Sequence, residues 1–443
     1  MLIIKNGTVI DPQTGFEGLA DLWIKDGKIK SIVKKEELSK LGVDPDGICP
    51  DAPAMTEGTE KAEIIDATGL VVAPGLVDAH VHFRDPGFTY KEDILSGAKA
   101  AAKGGVTSVV LMANTKPVVD NVETLQYVLE KGKQTDIHVN TCCSITKGLQ
   151  GQEMTNFDEL LQAGAVGFTD DGIPIRDAEL TRRALAESVK HDVLLSFHEE
   201  DPSFIENNGV NHGKASEYYG IGGSDRQAEI SLIKRDLELA LETGGNINIQ
   251  HISSKEGVEL VRQAKKKSTK NHIHAEACPH HFSLTEEACI EYGTLAKMNP
   301  PLRTEEDRQA ILAGLQDGTI DLIATDHAPH AAEEKAKPIT EAPSGIIGLE
   351  TSLPLAITNL VATKVLTMPQ LFEKMSMNPA KLYHLPTGSI TVGSEADLVI
   401  FDPNEEFVVG ESLSKSQNSP FIGKTLKGVI YKTIVSGKVV YEK

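Results

Sequence analysis

The chain has 443 residues, 24% of them charged and 40% hydrophobic, which excludes a disordered or fibrous chain and is long enough for one large and one smaller folded domain. Its formal net charge is -20, and the acidic residues are spread along the chain rather than gathered in a tail. A surface of this sign repels phosphate backbones and anionic lipids, so we expect neither nucleic acid nor membrane partners.

The sequence also predicts the compartment. The residues after Met1 lack the basic and long apolar regions of a signal peptide, and no apolar stretch approaches the length of a membrane span. An odd number of cysteines without CxxC spacing is typical of reduced, buried thiols, and the five are Cys49, Cys142, Cys143, Cys278 and Cys289. We therefore expect a cytoplasmic protein.

Both ends of the chain predict short β-strands separated by turn residues. The expected strands cover residues 2–5, 8–10, 21–25, 28–33, 397–401, 428–435 and 438–441. We expect residues 1–70 and 387–443 to form one composite β-sheet domain. Residues 41–62 are rich in Asp, Glu, Gly and Pro and predict an exposed loop inserted in that domain.

Between these ends, short apolar runs alternate with amphipathic segments over residues 71–386. The runs predict strands over residues 71–83, 108–113, 137–141, 165–169, 193–197, 247–250, 273–277 and 321–325. The amphipathic segments predict helices over residues 91–103, 124–131, 177–190, 225–242, 254–266 and 304–316. Repeated strand–helix units of this kind predict an α/β fold, a (β/α)8 TIM barrel whose strands are buried on both faces.

The first predicted barrel strand ends in two histidines separated by one residue. Side chains at positions i and i+2 of a strand point to the same side, so His80 and His82 can bind one cation together. Neutral imidazoles at this spacing are common ligands of Zn²⁺.

Further ligand-type residues follow other barrel strands, and the carboxyl ends of barrel strands meet on one face. They are Asp170 and Asp171 after the fourth strand, His198 after the fifth, His251 after the sixth and Asp326 after the eighth. Nitrogen and oxygen donors without thiolate favour Zn²⁺, and the number of donors exceeds what one tetrahedral ion takes, which favours two ions sharing a bridging carboxylate. Because adjacent strand residues face opposite ways, only one of the two aspartates can enter the site. Strand alternation alone does not decide whether this is Asp170 or Asp171.

Other polar residues on this face suit an anionic substrate with an amide group. Arg84 offers a planar guanidinium that can bind a carboxylate with two hydrogen bonds. Asn114, Asn299 and His330 are expected to line the same pocket. Residues 331–345 form either a lid over the substrate or a plain solvent-exposed loop.

Several motifs together resemble the bacterial class I dihydroorotases of the cyclic amidohydrolase group, within the metal-dependent amidohydrolase superfamily. The motifs are PGLVDAHVHFRDPG (74–87), MANT (112–115), GFTDDG (167–172), MNPPLR (298–303), ATDHAPH (324–330) and GIIGLET (345–351). Hydantoinases and allantoinases carry a modified lysine at the fourth strand, whereas this chain has no lysine between Lys147 and Lys190.

The resemblance implies a role for each matching residue. It implies that His80, His82, Asp171 and Asp326 bind one zinc ion, and that Asp171, His198 and His251 bind the second, with Asp171 as the bridge. The choice of Asp171 over Asp170 rests on this resemblance. Contacts with the substrate are implied for His82, Arg84, Asn114, Asn299, His330, Ser344 and Gly345.

The activity implied by the resemblance is the reversible cyclisation of N-carbamoyl-L-aspartate to (S)-dihydroorotate and water, the third step of de novo pyrimidine (UMP) biosynthesis. A zinc-activated hydroxide would react with the ring carbonyl, and Asp326 would accept and return the proton. Two alternatives are another cyclic amide substrate, such as a hydantoin or allantoin, and a non-catalytic barrel that binds aspartate carbamoyltransferase. Family analogy suggests a homodimer and contact with that transferase, and the sequence decides neither.

Overall fold

The computed structural model describes residues 1–36 and 62–443, so the predicted loop over residues 41–62 and Cys49 lie outside the described residues, apart from residue 62 itself. The strands are β1 (Leu2–Asp11), β2 (Phe16–Lys25), β3 (Lys28–Lys34), β4 (Glu63–Asp66), β5 (Val71–Pro74), β6 (Leu76–Val81), β7 (Val106–Leu111), β8 (His138–Thr141), β9 (Phe168–Thr169), β10 (Leu195–Phe197), β11 (Ile247–Ile249), β12 (Ile273–Ala277), β13 (Leu322–Ile323), β14 (Leu398–Val408), β15 (Thr425–Val435) and β16 (Lys438–Glu442).

Strands β6 to β13 form the predicted barrel. They are paired in parallel as two sheets, β6–β7–β8 and β9–β10–β11–β12–β13. Parallel bridges between Val81 and His327 and between Cys143 and Phe168 join the two sheets at both edges. Backbone hydrogen bonds reinforce these edges, because the His82 N–H donates to the His327 carbonyl at 2.9 Å and the Cys143 N–H to Gly167 at 3.0 Å. The predicted α/β barrel is therefore confirmed.

Helices follow the barrel strands. The longer ones are Ile94–Lys103, Val122–Gly132, Ala178–His191, Gln227–Thr243, Lys255–Lys267 and Glu305–Asp317. Side chains that accept a backbone N–H fix where five of these six begin, as N-caps do, and they belong to Asp93, Asn121, Asp177, Ser254 and Thr304.

Shorter helical segments complete the barrel and its loops. The α-helical ones are Phe157–Gln162, Lys214–Tyr219, Pro279–Ser283, Glu287–Tyr292, Ala332–Lys335, Ser352–Ala356, Met368–Phe372 and Asn378–Leu382. Ile357–Val361 and Glu373–Met377 are π-helical, and Lys147–Leu149, Pro202–Phe204 and Gly293–Ala296 are 3₁₀ turns. Within residues 1–36 and 62–443, no helix is both long and apolar enough to cross a bilayer.

The strands from the chain ends form one sheet in the order β16-β15-β14-β5-β1-β2-β3, with β4 paired to β1. Strand β5 lies in the middle, parallel to β1 and antiparallel to β14. The prediction of one barrel strand over residues 71–83 was therefore wrong, because Val71–Pro74 belongs to this sheet and the barrel begins at Leu76. Both strands are buried throughout, so their apolar run has no break at the bend. Gly75 makes the bend, where a Cβ atom would lie only 2.2 Å from Thr107 Cγ2.

His138 connects the barrel to the terminal sheet. Its Nε2 lies 3.1 Å from an Asp397 carboxylate oxygen, and this hydrogen bond raises the pKa of His138. A histidine whose pKa is raised on folding contributes stability below its unfolded pKa of about 6.5, and that contribution is lost as the pH rises through the folded pKa.

We therefore expect His138→Gln to lower the melting temperature at about pH 5 and to have less effect at about pH 8. Because the side chain is 39% exposed, the difference should not exceed about 1 kcal/mol. Thermal unfolding of both proteins at the two pH values measures it. An equal loss at both pH values would show that the ring stabilises the fold by packing and not by charge.

Candidate metal centre

Six of the predicted ligand residues converge at the carboxyl ends of the barrel strands. His80 lies in β6, and the others follow the ends of β6, β9, β10, β11 and β13; they are His82, Asp171, His198, His251 and Asp326. Two groups have one ligand atom per residue, all within 4.8 Å of one another: His80, His82 and Asp326, and His80, Asp171 and His251. The structure thus brings together residues that are up to 246 positions apart in the chain.

The Asp171 carboxylate lies between the histidines of β6 and those after β10 and β11. Its Oδ1 is 3.4 Å from His80 Nε2 and 3.7 Å from both His198 Nδ1 and His251 Nε2. Its Oδ2 is 3.4 Å from His82 Nε2. This carboxylate can therefore reach two neighbouring cations at once.

Asp326 follows β13, which lies next to β6 in the barrel, and its carboxylate faces the same histidines. Its Oδ1 is 2.9 Å from His82 Nε2 and 3.5 Å from His80 Nε2. Burial would raise the pKa of Asp326, but His80 and His82 lower it below its usual range, so the carboxyl group is ionised.

Asp170, the neighbour of Asp171, turns away from these histidines. Its Oδ1 accepts the backbone N–H of Thr146 at 3.0 Å, and its Oδ2 accepts the Thr146 hydroxyl. Strand β9 ends at Thr169, so the two aspartates occupy the loop after it. Of the two residues that strand alternation left open, the structure places Asp171 among the histidines.

The electrostatic field of the site favours a positive charge. Burial would lower the pKa of His80, but the carboxylates of Glu276, Asp171 and Asp326 raise it well above its usual range. Burial likewise opposes protonation of His198, whose pKa is nevertheless raised to about 10 by Asp171 and Glu200. The carboxylates would hold a cation in the same place as these protons.

The donor atoms fit a bound divalent metal. His80 Nε2 is buried and has no hydrogen-bond partner among the described residues, although it faces the carboxylates of Asp171 and Asp326. Nδ1 of His198 and Nε2 of His251 are 2.9 Å apart. Imidazole and carboxylate groups that converge in this way are ligands for Zn²⁺, Mn²⁺ or Co²⁺. A metal cofactor is consistent with the whole arrangement.

Two carboxylates that the sequence analysis missed each contact a ring nitrogen of one of the histidines. Glu276 Oε1, on β12, lies 2.6 Å from His80 Nδ1 and accepts the backbone N–H of His251 at 3.1 Å. Glu200 Oε2 lies 3.1 Å from His198 Nε2. A carboxylate on the second ring nitrogen fixes the tautomer and orientation of a metal-binding histidine. The sequence signal for Glu276 was a charged residue inside an apolar strand, and Glu200 had no such signal.

We expect Glu276→Gln to weaken metal binding about 10- to 100-fold, because glutamine keeps the shape of the side chain but loses its charge. Metal content after dialysis against buffers of graded free zinc measures the change. A suitable control is Glu286→Gln, since Glu286 is also buried but bonds to Asn211. If Glu276→Gln holds metal as tightly as the wild type, the side chain serves packing alone.

The backbone at three positions of the site adopts left-handed angles that are uncommon outside glycine. The φ values are 58° at Arg84, 32° at His251 and 48° at Asp326. All three residues follow barrel strands directly or within a few residues. Such conformations cluster at functional sites, where the surrounding structure holds them.

Asn114 lies between two of the predicted ligands. Its Oδ1 is 3.0 Å from His82 Nδ1, and its Nδ2 donates to Asp171 Oδ2 at 3.0 Å. Because His82 Nδ1 donates to this amide, the lone pair of His82 lies on Nε2, which faces Asp326 and Asp171. The structure therefore shows Asn114 orienting ligands, in addition to its predicted contact with the substrate.

Arg84 and His330 lie together beside this centre. Arg84 Nε donates to the Pro329 carbonyl at 3.2 Å, and Arg84 Nη2 lies 3.4 Å from His330 Nε2. His330 Nε2 donates to the Ser344 carbonyl at 2.8 Å, and His330 Nδ1 accepts from Lys91 Nζ. Burial, together with Arg84 and Lys91, lowers the pKa of His330 to about 2, so this ring is neutral. Arg84 carries positive charge beside this ring, whereas Lys91 is paired with Glu334 at 2.8 Å.

The segment over residues 331–345 is tied down near its C-terminal end. Lys335 Nζ donates to the carbonyls of Pro343 and Gly345, and Lys297 Nζ donates to those of Ile339 and Ala342. Residues 336–338 are exposed. The segment is thus exposed in part and held by hydrogen bonds near Ser344 and Gly345, and its closure as a lid over the substrate stays a prediction.

Asn418, in the segment between β14 and β15, connects two parts of this wall. Its Nδ2 donates to the Ala328 carbonyl at 3.0 Å and to the Gly345 carbonyl at 3.1 Å. Its Oδ1 accepts the backbone N–H of His330 at 3.1 Å. The terminal sheet therefore supplies a buried amide that holds the pocket loops together.

Asn299 was predicted to line the pocket, whereas His274 was not assigned a role. Asn299 and Ser344 both lie close to Gly209, where a Cβ atom would meet both side chains. Asn299 Oδ1 is buried without a hydrogen-bond partner in the part of the chain that the structure describes. His274, which the sequence analysis did not assign, lies 3.5 Å from Asp321 at the other end of β12 and outside the two groups of ligands.

Comparison with known proteins gives the class of this chain. Residues 71–440 match the model of the Amidohydrolase family. The chain belongs to this family.

Three relatives that align over the full chain carry the name dihydroorotase. That of Clostridioides difficile is 53% identical over 441 residues, and that of Clostridium acetobutylicum is 50% identical over 444 residues, with 100% of both chains covered in each case. That of Lactococcus lactis is 48% identical over 442 residues, covering 100% of this chain and 99% of the relative. The resemblance to dihydroorotases drawn from the motifs is confirmed.

Solved structures with the same fold include hydantoinases. The L-hydantoinase (dihydropyrimidinase) from Arthrobacter aurescens superposes with a TM-score of 0.85 at 27% identity, covering 100% of this chain and 96% of that one. The D-hydantoinase from a Thermus species superposes with a TM-score of 0.82 at 23% identity, covering 100% and 95%. The second likeness is one of fold alone.

Proposed function

We propose that this chain is a dihydroorotase, which interconverts N-carbamoyl-L-aspartate and (S)-dihydroorotate in pyrimidine biosynthesis. The observation that carries the proposal is the position of Asp171, whose carboxylate lies within 3.7 Å of four histidines. The full-length relatives named dihydroorotase support the same conclusion.

We infer that the site binds two zinc ions. His80, His82 and Asp326 would hold one, His198 and His251 the other, and Asp171 would bridge them. Five nitrogen and oxygen donor residues around a shared carboxylate support this number, and the absence of thiolate from the set is compatible with Zn²⁺. Bound zinc would lower the pKa of a water molecule so that hydroxide is available near neutral pH.

Arg84 would bind the carboxylate of the substrate. Its guanidinium lies beside a neutral His330, so this neighbour adds no repulsive positive charge to it. Asn299, Ser344 and Gly345 would contact the ureide ring from the other side. Fixing both ends of the substrate holds the reacting carbonyl near Asp326, which reduces the entropy lost in reaching the transition state.

Asp326 would move the proton during the reaction. In hydrolysis its carboxylate accepts a proton from the attacking water and then gives it to the ring nitrogen as the C–N bond breaks. Cyclisation runs through the same steps in reverse, and one water is released. Its Oδ1 lies 2.9 Å from His82 Nε2, which places this carboxylate at the proposed metal centre.

The compartment, the domain organisation and the partners are also part of the proposal. We propose a cytoplasmic enzyme built from a composite sheet domain (1–70 and 387–443) and a barrel domain (71–386), with β5 moved to the former. A homodimer and contact with aspartate carbamoyltransferase are further proposals from family analogy.

Chelation tests the proposed function directly. We expect exhaustive dialysis against a chelator to remove the cyclisation of N-carbamoyl-L-aspartate, and added Zn²⁺ to restore it. Zinc content measured in parallel relates activity to occupancy. Undiminished activity in protein that retains no metal would contradict the proposal.

A second candidate is another cyclic amide hydrolase, since the structural neighbours include hydantoinases. Asp171 in place of a lysine and the position of Arg84 favour dihydroorotate. Zinc-loaded protein assayed with dihydroorotate, hydantoin and allantoin side by side decides between them. Faster turnover of hydantoin or allantoin would establish the second candidate.

A further inference from the structure

Three further ligand-type side chains lie together where β12 ends. The sulfur of Cys278 and one ring nitrogen each of His280 and His281 lie within 4.8 Å of one another. The residues begin the helix Pro279–Ser283 and are 0%, 2% and 3% exposed. The proposed reaction gives none of the three a role.

The hydrogen bonds of His281 determine where its lone pair lies. His281 Nε2 is 3.0 Å from the Pro300 carbonyl oxygen, so this nitrogen carries the hydrogen and donates it. His281 Nδ1 therefore holds the lone pair. It is buried and has no hydrogen-bond partner within residues 1–36 and 62–443.

His280 also has a ring nitrogen without a hydrogen-bond partner among the described residues. Its Nε2 is also buried without a partner among the described residues. A buried polar atom without a hydrogen bond costs about 1–3 kcal/mol, and native structures contain few of them. Two such nitrogens on adjacent residues beside a thiol indicate a missing common partner. A cation would satisfy the lone pair of His281 Nδ1, and that of His280 Nε2 when the His280 hydrogen is on Nδ1.

The cluster is distinct from the metal centre described above. Its strand, β12, provides none of the six predicted ligands, and its donors include a sulfur, which the centre lacks. It is nevertheless close to that centre, because Glu276, two residues before Cys278, binds His80. A cation in the cluster would therefore lie beside the centre without sharing its ligands.

We propose that Cys278, His280 and His281 form an additional zinc site with one thiolate and two imidazole ligands and an open fourth position. A thiolate with imidazoles is a donor set suited to Zn²⁺. Ligand atoms bound to one zinc ion are about 3.5 Å apart, as follows from Zn–S of about 2.3 Å and Zn–N of about 2.0 Å. Side-chain rotations that move the atoms by about 1 Å would close the present separation.

Cobalt substitution tests the site independently of activity. A thiolate bound to Co²⁺ gives a charge-transfer band in the near ultraviolet, whereas histidine and aspartate ligands do not. We expect the band when the full-length apoprotein is titrated with Co²⁺, and we expect it to disappear in Cys278→Ser. Cys289→Ser is the matched control, since Cys289 is also buried and should leave the band unchanged.

Metal content provides the second readout. Zinc-saturated wild type should contain one equivalent more than Cys278→Ser, and His280→Asn should weaken the cobalt band at a given Co²⁺ concentration at least tenfold. Dihydroorotase turnover of Cys278→Ser should stay near that of the wild type. A wild type that binds cobalt without the band, or a band that persists in Cys278→Ser, would overturn the additional site and leave the proposed function standing.

Discussion

Replacing Asp326 by asparagine should reduce turnover by a factor of about 10³ or more while the protein stays folded. Asparagine keeps the size of the side chain and can still contact His82, but it cannot accept a proton from water or return it to the ring nitrogen. The expected loss corresponds to about 4 kcal/mol of transition-state stabilisation. Steady-state rates in both directions, with circular dichroism and zinc content, measure it.

Asp321→Asn is the matched control for this variant. Asp321 lies five residues earlier and bonds to Lys265 and the Ala275 N–H, outside the metal centre. We expect this change to lower stability and to leave the rate constant near that of the wild type. If Asp326→Asn retains most of its turnover with zinc bound, another group must carry the proton.

The second large effect should come from Asp171→Asn. The neutral amide removes the negative charge that lies within 3.7 Å of four histidines, so two neighbouring cations would repel each other without the bridge. We expect the zinc content to fall by at least half and turnover to fall by on the order of 10²-fold or more. Metal analysis and rates at saturating zinc separate weak binding from a slower reaction.

The adjacent residue offers an unusually close comparison. Asp170→Asn changes the next side chain in the same way, but Asp170 bonds to Thr146 and faces away from the histidines. We expect it to keep its zinc and its rate and to unfold at a lower temperature. Loss of zinc from Asp170→Asn, with retention by Asp171→Asn, would reverse the assignment of the bridge.

The sequence predicted the barrel and the approximate positions of the strands because apolar runs and amphipathic helices alternate regularly. It failed at residues 71–83, since burial is continuous across Gly75 and hydrophobicity alone cannot show that a chain leaves one sheet and enters another. It also missed β4, Glu63–Asp66, which is short and mostly exposed.

At the metal centre, the residues that follow strands were predictable because their number at one barrel face was improbable by chance. The choice between Asp170 and Asp171 was not, because β9 ends before both and alternation does not apply in a loop. Glu276 escaped notice because its contact with His80 joins residues far apart in the chain, and Glu200 because nothing in the sequence shows that it bonds to His198, two residues before it. The grouping of Cys278 with two histidines was likewise invisible in a search restricted to CxxC spacing.

The amide of Asn418 has a consequence for how the chain matures during synthesis. All six predicted ligands precede residue 327, so they leave the ribosome long before the segment that ties His330 to Gly345. A nascent chain can therefore assemble its ligands while its pocket wall is still unsecured. The segment between β14 and β15 completes this wall, so competence for the reaction should appear only after Asn418 has been synthesised and has folded against the barrel.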